Sequence, residues 1–412
     1  MRRLAPLVTL ASSIALACAA LSAGPAAAQS RPADLTVLPP VPTDYTPEKT
    51  AWGDWDFTGI WPIENIPNTR ILFQRPKENG MNYWLTDEQH AKRVENAERS
   101  DSNFAAASER GIGTSGTEGL VEWTKNSNMS WRTSMLVSPA DGQLPPLTPE
   151  GQRLYEAGRS GWVPGQDFDW VTDFDSWDRC VTRGFPASMY PFRDNNGIRV
   201  HQAPGYFVIE LEMMGTRIVP IFPSKAAAQA AQWPAAVEEW LGQSRGWWEG
   251  KTFVIETTNI VSGDSATHDV SKRSSSPLNM ATQHVPPFNT IPMSKQARTL
   301  ERLTMTDANT IVHELTYSDP VYYTAPWTTR IEWSRNPNYE FFEYACHEGN
   351  QAIRGYIQSS RAHRAAIAAG TDVPETAEED SRSRFAQQFD FDPVVTPPRA
   401  PPGPPPAAER RE

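Results

Sequence analysis

The chain has 412 residues, 38 basic against 49 acidic, for a net charge of −11, and 10 % of it is aromatic. With an acidic balance and no basic patch, it has no source of sequence-independent attraction to phosphate. Nucleic acids and anionic membrane surfaces are therefore not expected partners.

Arg2 and Arg3 begin the chain as a short positive region, followed by a stretch from Leu4 to Leu21 that is apolar apart from Thr9, Ser12 and Ser13. Ala26-Ala27-Ala28 then supplies small residues for cleavage before Gln29. Residues 1–28 read as a secretory signal peptide, so the mature protein is expected in the periplasm or outside the cell, with no membrane span. Two alternatives stay open. One is an N-terminal membrane helix, for which the flanks are wrong; the other is a lipoprotein acylated at Cys18, for which Ala15-Leu16-Ala17 places leucine poorly. Loss of the leader takes two arginines and no acids, leaving 36 basic against 49 acidic residues, or −13.

Without Cys18, two cysteines remain, Cys180 and Cys346. In an oxidising compartment an even pair is most simply a disulfide, here closing a loop of about 165 residues worth at most about 4–5 kcal/mol. Two free buried thiols and a nucleophilic Cys346 are the alternatives. The adjacent His347 is a poor base for the latter, because neighbours on a strand face opposite ways.

Residues 29–51 are Pro-rich and polar and read as an extended arm. The segment 85–110 reads as a helix with Thr86 and Gln89 as a capping box and Gly111 as its stop. Thr148-Pro149 should start a second helix ending near Gly158, and 111–130 should be a long loop. Period-two patterns then predict strands over 206–213, 217–221, 247–257, 298–305, 310–318, 328–334 and 340–346, with Asp307-Ala308-Asn309 closing a hairpin. Helical pieces are expected at 224–232 and 235–241, a long polar loop at 262–297, and a C-terminal helix from Gln351 to Ala369 stopped by Gly370. Residues 371–412 are acidic and then Pro-rich, and are expected to be disordered. The fold class is therefore mainly β: an antiparallel closed or nearly closed barrel, or a sandwich. It forms one domain over 52–370 with a helical, loop-rich N-terminal elaboration.

The sequence has no phosphate-cradling glycine loop, His-Glu-x-x-His, nucleophile elbow or Cys-x-x-Cys pair, so no cofactor or metal is expected. Cys346-His347-Glu348 cannot turn three adjacent ligands onto one ion. His201, His268, His284, His313 and His347 are scattered, and each reads singly as a surface or satisfied core histidine. Aromatics crowd the strand region, and two readings of them stand: a filled core, or a cavity that stacks on a ring-bearing ligand. Among the charged residues inside strand patterns, most should face water. Glu249 stands out between Trp248 and Gly250, since a carboxyl against aromatics has its pKa raised and can move protons near neutral pH. Arg217 and Arg245 are candidates to hold a carboxylate or a developing oxyanion.

Several of these segments together resemble a large family of exported bacterial proteins. Gln202-Ala203-Pro204-Gly205 and Trp248-Glu249-Gly250-Lys251-Thr252-Phe253-Val254-Ile255 are similar to the family's Trp-Glu-Gly-Asp-Thr-Leu-Val-Val region, with Lys251 where aspartate is common. Asp319-Pro320, Pro326-Trp327, Glu343-Tyr344-x-Cys346-His347-Glu348-Gly349-Asn350 and Cys180 with Gly184-x-Pro186 extend the likeness over about residues 52–370. Most members carry no assigned activity, so the resemblance implies architecture more than mechanism. It also implies a link to lignin-derived aromatics, including cofactor-independent aryl-ether cleavage.

Two functions are expected. The first is an exported lyase or hydrolase that cleaves an ether or ester bond of a small aromatic compound. In it Glu249, Glu212 or Glu301 moves the proton, and Arg217, Arg245 and Tyr317 stabilise the developing oxyanion or departing phenolate; His347 completes the set of candidates. The second is a non-catalytic binding protein for a hydrophobic or aromatic molecule in the cell envelope.

Overall fold

Ten strands form two antiparallel sheets in the computed structural model, which describes residues 31–63, 71, 73–96, 99, 130–157, 167–174, 179–182, 184–191, 197–261, 293–337 and 339–372. The expected leader 1–28, the expected helix beyond 96 apart from Arg99, the loop 111–130 except Ser130, the expected helix end at Gly158, most of the loop 262–297 and the tail beyond 372 lie outside the described residues. The four-stranded sheet has the order β1 (Gly59–Pro62), β3 (Gly197–Ala203), β4 (Tyr206–Leu211), β5 (Thr216–Pro220). The six-stranded sheet has the order β2 (Leu136–Ser138), β10 (Trp327–Ser334), β9 (Thr310–Ser318), β8 (Arg298–Asp307), β7 (Thr252–Thr258), β6 (Gln243–Glu249).

Neither sheet closes into a barrel, which corrects the expectation of a closed ring. The sheets touch at both flanks without a continuous ladder. Past β5, Ile221 makes one parallel bridge to Gly246 of β6, and Asn336 beyond β10 donates to the Ile60 carbonyl of β1 at 3.3 Å. One buried cluster draws on the facing surfaces of both sheets, with Ile198, Val200, Phe207 and Ile209 from one and Phe253, Ile255, Leu303 and Leu315 from the other. The alternation that puts every second residue inward explains this set. Phe207 stacks on Phe253 with centroids 4.4 Å apart, so the two sheets meet through aromatic faces at the centre.

Local chemistry accounts for where several elements begin and turn. Helix α1 (87–96) follows the expected capping box: the Thr86 N–H donates to Gln89 Oε1 at 3.0 Å, and the Gln89 N–H donates to Thr86 Oγ1 at 3.2 Å. Helix α2 (Pro149–Ala157) starts with the Gly151 N–H donating to Thr148 Oγ1 at 3.0 Å. Helix α3 (Lys225–Ala230) is capped by Ser224. The arm described over 31–51 is irregular but fastened, since its Leu35, Val37 and Pro39 carbonyls accept from Tyr83 N, Trp84 Nε1 and Arg330 Nη1.

Three expected elements differ. The single strand over 247–257 is a hairpin: Glu249 pairs with Thr252, and Gly250 (φ +64°) and Lys251 make the two-residue turn. A positive φ at the first turn position is what glycine supplies, so an apolar run on both sides had concealed a chain reversal. At Lys251, Nζ donates to the Asp44 carbonyl at 2.9 Å, tying the arm to this turn. The expected helix over 235–241 is a pair of turns, because Glu239 bridges to Ile260 and the Asn259 amide donates to the Pro234 and Val237 carbonyls. The expected strand over 340–346 is irregular and gives way to a short helix α4 (Cys346–Gly349); there the Phe342 N–H donates to the Glu212 carboxylate rather than to a strand. The C-terminal helix α5 (Ala352–Ala368) matches its expectation.

Cys180 and Cys346 are joined in a disulfide across a sequence separation of 166. The bridge ties the segment before β3 to α4.

Two glycines separate close approach from turn geometry. A Cβ on Gly246 would lie 2.4 Å from Phe253 Cζ, whereas one on Gly250 would meet nothing within 4 Å. Gly246→Ala is expected to cost about 1–3 kcal/mol by forcing Phe253 off Phe207, and Gly250→Ala about 1 kcal/mol from backbone strain alone. Urea midpoints and the near-ultraviolet signal check this: both should change in the first variant and only the midpoint in the second.

Candidate functional site

The register of the six-stranded sheet sorts its inward side chains into rows that run across the strands. One row reads Ser244, Thr257, Thr299, Tyr317, Trp327; the next reads Gly246, Ile255, Glu301, Leu315, Thr329; a third reads Trp248, Phe253, Leu303, His313, Ile331. Hydroxyls and charges thus interrupt an otherwise apolar face at fixed positions, with Glu301 on the central strand β8.

Arg217 reaches this face from β5 of the opposite sheet. Its Nη2 donates to Glu301 Oε2 at 2.5 Å and its Nη1 to Glu301 Oε1 at 3.1 Å, a two-pronged pair. Nη2 also donates to Ser244 Oγ and Thr257 Oγ1, at 3.0 and 3.1 Å, and the guanidinium carbon lies 4.3 Å over the Phe185 ring. Arg217 is 2 % exposed and Glu301 0 %, so both charges have left water. Burial alone pushes the Glu301 carboxyl upward. The Arg217 charge, together with hydrogen bonds from His313 and Arg217, more than reverses this and holds it down at about 2, so it stays ionised.

His313 completes the group. Its Nε2 lies 3.0 Å from Glu301 Oε1 and its ring packs 4.8 Å from Trp333, while Nδ1 is buried with no hydrogen-bond partner. A donating Nε2–H leaves Nδ1 as the lone-pair nitrogen. Tyr190, Tyr317 and Tyr323 lie on the same side of the core. Burial pushes all three phenols far above their ordinary range, with a nearby carboxylate adding to it, so each keeps its proton. The Tyr190 hydroxyl accepts from Thr329 Oγ1 at 3.3 Å, and that of Tyr323 has no partner.

The sequence candidates divide sharply by face. Arg217 and Glu301 come together as described, with Tyr317 one row away, its hydroxyl donating to Asp319 Oδ2 at 3.2 Å. Arg245 does not join them. It follows Ser244, points to the opposite face and donates to Glu256 and Thr258 at 3.1 and 3.0 Å. Glu249 lies at the end of the β6–β7 hairpin, accepting from Trp247 Nε1 and Arg302 Nη1 at 2.9 and 2.8 Å. Those bonds lower its pKa, which corrects the expected rise: Trp247, two residues back, and Arg302 supply donors that outweigh the adjacent Trp248. Glu212 is buried elsewhere and accepts from Gly197 N, Tyr339 Oη and Phe342 N at 2.8, 2.6 and 3.0 Å. His347 is exposed in α4. His313, Tyr190, Ser244 and Thr257 were not singled out for the site. The available signal was a histidine on the inward side of Ile311-x-His313-x-Leu315-x-Tyr317, at the same parity as the core.

A groove of about 340 Å³ lies elsewhere, lined by Gln232, Glu238, Thr258, Lys295, Arg298 and Ser318 among others. It contains none of the Arg217–Glu301–His313 group, and the buried group is the better candidate because its polar atoms face one another at bonding distance. Among the described residues no cluster of three or more His, Cys, Asp or Glu is placed to hold a metal, and no helix is long and apolar enough to cross a membrane. No family model, curated protein or solved structure matches the chain.

Removing the Glu301 charge leaves Arg217 buried and unpaired. Glu301→Gln is expected to lose about 3–5 kcal/mol, read from the urea midpoint. Because the folded value lies below the ordinary 4.5, the stability from this carboxyl is complete above that pH and is lost as pH falls toward about 2. The acid limb of the wild-type stability profile should flatten in the variant.

Proposed function

We propose that the protein is an exported lyase or hydrolase that opens an ether or ester bond of a small aromatic compound, with its own side chains moving the proton. The observation that carries this reading is the orientation of His313, bonded through Nε2 to an ionised carboxylate with Nδ1 left without a partner. An imidazole held in this way has the arrangement of a general base, with the carboxylate fixing the orientation of its ring. In hydrolysis, Nδ1 takes a proton from water as its oxygen attacks, and the imidazolium returns it to the departing phenolate. In elimination, the proton comes instead from the carbon beside the ether. Arg217 positions Glu301, and the buried rings of Trp327, Trp333 and Tyr323 give the surrounding interior its aromatic character. The acid–base role thereby moves from Glu249 and Glu212 to His313, with Glu301 as its orienting partner. Two antiparallel sheets that share one buried core support the nearly closed barrel or sandwich as its architecture. The resemblance to exported proteins linked to lignin-derived aromatics, the leader-like N-terminus and the disulfide all favour a location outside the cytoplasm.

A second reading is a binding protein for a hydrophobic or aromatic molecule in the cell envelope. It is favoured by the mutual saturation of Arg217 and Glu301, with Arg217 also donating to Ser244 and Thr257, a group that would serve equally as a rigid floor.

Incubation of mature protein with β-aryl-ether dimers and phenolic esters separates the two. Phenol release is expected from the wild type and a loss of at least about 100-fold from His313→Asn, whose folding is checked by circular dichroism. Ligand binding without release from the wild type identifies the binding reading, and release undiminished in His313→Asn removes the histidine from the chemistry.

A further inference from the structure

Arg132 sits away from this group and presents an electrostatic anomaly. The residue is 1 % exposed, yet none of its three guanidinium nitrogens has a hydrogen-bond partner. Glu332 Oε1 lies 4.0 Å from Nη1, within Coulombic range but beyond a hydrogen bond, and its side chain is 31 % exposed and shared with water. The Trp84 ring lies 5.2 Å from the guanidinium carbon. The backbone is held as well: Arg132 bridges to Trp84, its N–H donates to Ser130 Oγ, and its carbonyl accepts from Arg93 Nη1.

Arg75 shares this flank, where residues around 73–84 and 130–142 pack beside β2 and β10. Arg75 is 2 % exposed; its Nη1 donates to the Ala140 carbonyl at 2.8 Å, while Nε and Nη2 have no partner. The guanidinium carbon stands 4.3 Å over the Tyr83 ring, and both Arg75 and Tyr83 act on Arg132 through space. Arg330 also acts on Arg132, but it is committed to Glu314 and to the Pro39 carbonyl.

Burial lowers the Arg132 pKa only to about 10, with Glu332 opposing the fall, so the group is a cation at neutral pH. A buried cation without hydrogen bonds is strongly unfavourable, and native proteins rarely leave such groups unmet. The five unpartnered nitrogens belong to two planar forks, the geometry that matches the paired oxygens of a carboxylate, sulfate or phosphate.

We propose that Arg132 and Arg75 form a binding site for a small oxyanion, taken either as an inorganic tetrahedral ion or as the carboxylate of an organic acid. Glu332 is the one carboxylate within 4.0 Å of Arg132 among the described ion pairs, and it competes with the anion for that guanidinium. The site is separate from Glu301 and His313 and does not depend on the reaction proposed for them.

The test is thermal unfolding and titration calorimetry of the mature protein in phosphate, sulfate, acetate and benzoate, against chloride at equal ionic strength. Wild type should show a saturable rise in Tm of about 3 °C with at least one of them. Response to phosphate and sulfate alone identifies the inorganic source, and response to acetate or benzoate alone the organic acid. Arg132→Met and Arg75→Met should each weaken binding by about tenfold or more, while Glu332→Gln should tighten it by removing the competing charge. The absence of a saturable response in wild type, or a response unchanged in either arginine variant, overturns the proposal. The wild-type titration decides the matter even where Arg132→Met fails to fold.

Discussion

The pairing of Arg217 with Glu301 is the constraint on which the rest of the interior is arranged. It spans the two sheets: β5 offers the cation, β8 the anion, and both residues are almost wholly buried. Two charges in this position are tolerable only if each satisfies the other, because the loss of hydration costs several kcal/mol per ion. That requirement fixes the facing register of the sheets. A one-residue slip in either strand would carry its charge to the opposite face and leave the partner alone in the core. Ser244 and Thr257 then follow as neighbours, since Arg217 Nη2 needs further acceptors. His313 follows as the group that takes up the remaining side of Glu301 Oε1.

This pair also separates the roles of the acidic residues. Glu301 is held as an anion by its surroundings, bonded to both Arg217 and His313. Glu249 is ionised for a different reason, being bonded to Trp247 and Arg302 at the protein surface. What distinguishes His313 is an unsatisfied nitrogen beside a fixed charge, the feature on which the proposed acid–base role rests. Arg132 is likewise buried with unsatisfied polar atoms, away from this group.

Much of the architecture was legible in residues whose local physics is strong. The Thr86–Gln89 capping box, the Asp307-Ala308-Asn309 hairpin and the period-two pattern of β9 all depend on near neighbours. The pairing of Cys180 with Cys346 was the simplest reading of the two cysteines left once the expected leader is removed, with free thiols and a nucleophile open beside it. Less legible were β1, β2 and β3: β1 and β2 are short, and β3 mixes Arg199, His201 and Gln202 into its pattern. The turn at Gly250 was hidden because both arms of its hairpin are apolar, so the pattern ran on through the reversal. In the site, Arg217, Glu301 and Tyr317 stood out as polar residues within strands. Which of them converge was not readable, since Arg217 and Arg245 differ only in the parity of their strand positions and in the partner sheet each one meets. Glu249 misled for a similar reason: the adjacent Trp248 does not reveal that Trp247, two residues back, and Arg302 will donate to the carboxylate.

The central claim is that Arg217 and Glu301 act as one unit joining the sheets. A double-mutant cycle with Arg217→Met and Glu301→Leu, followed by urea unfolding, tests it most directly. The account predicts that each single change is severely destabilising and that the double variant recovers at least about 2 kcal/mol of the summed loss, because neither charge is then left buried alone. Additive losses, with no recovery in the double variant, would contradict it.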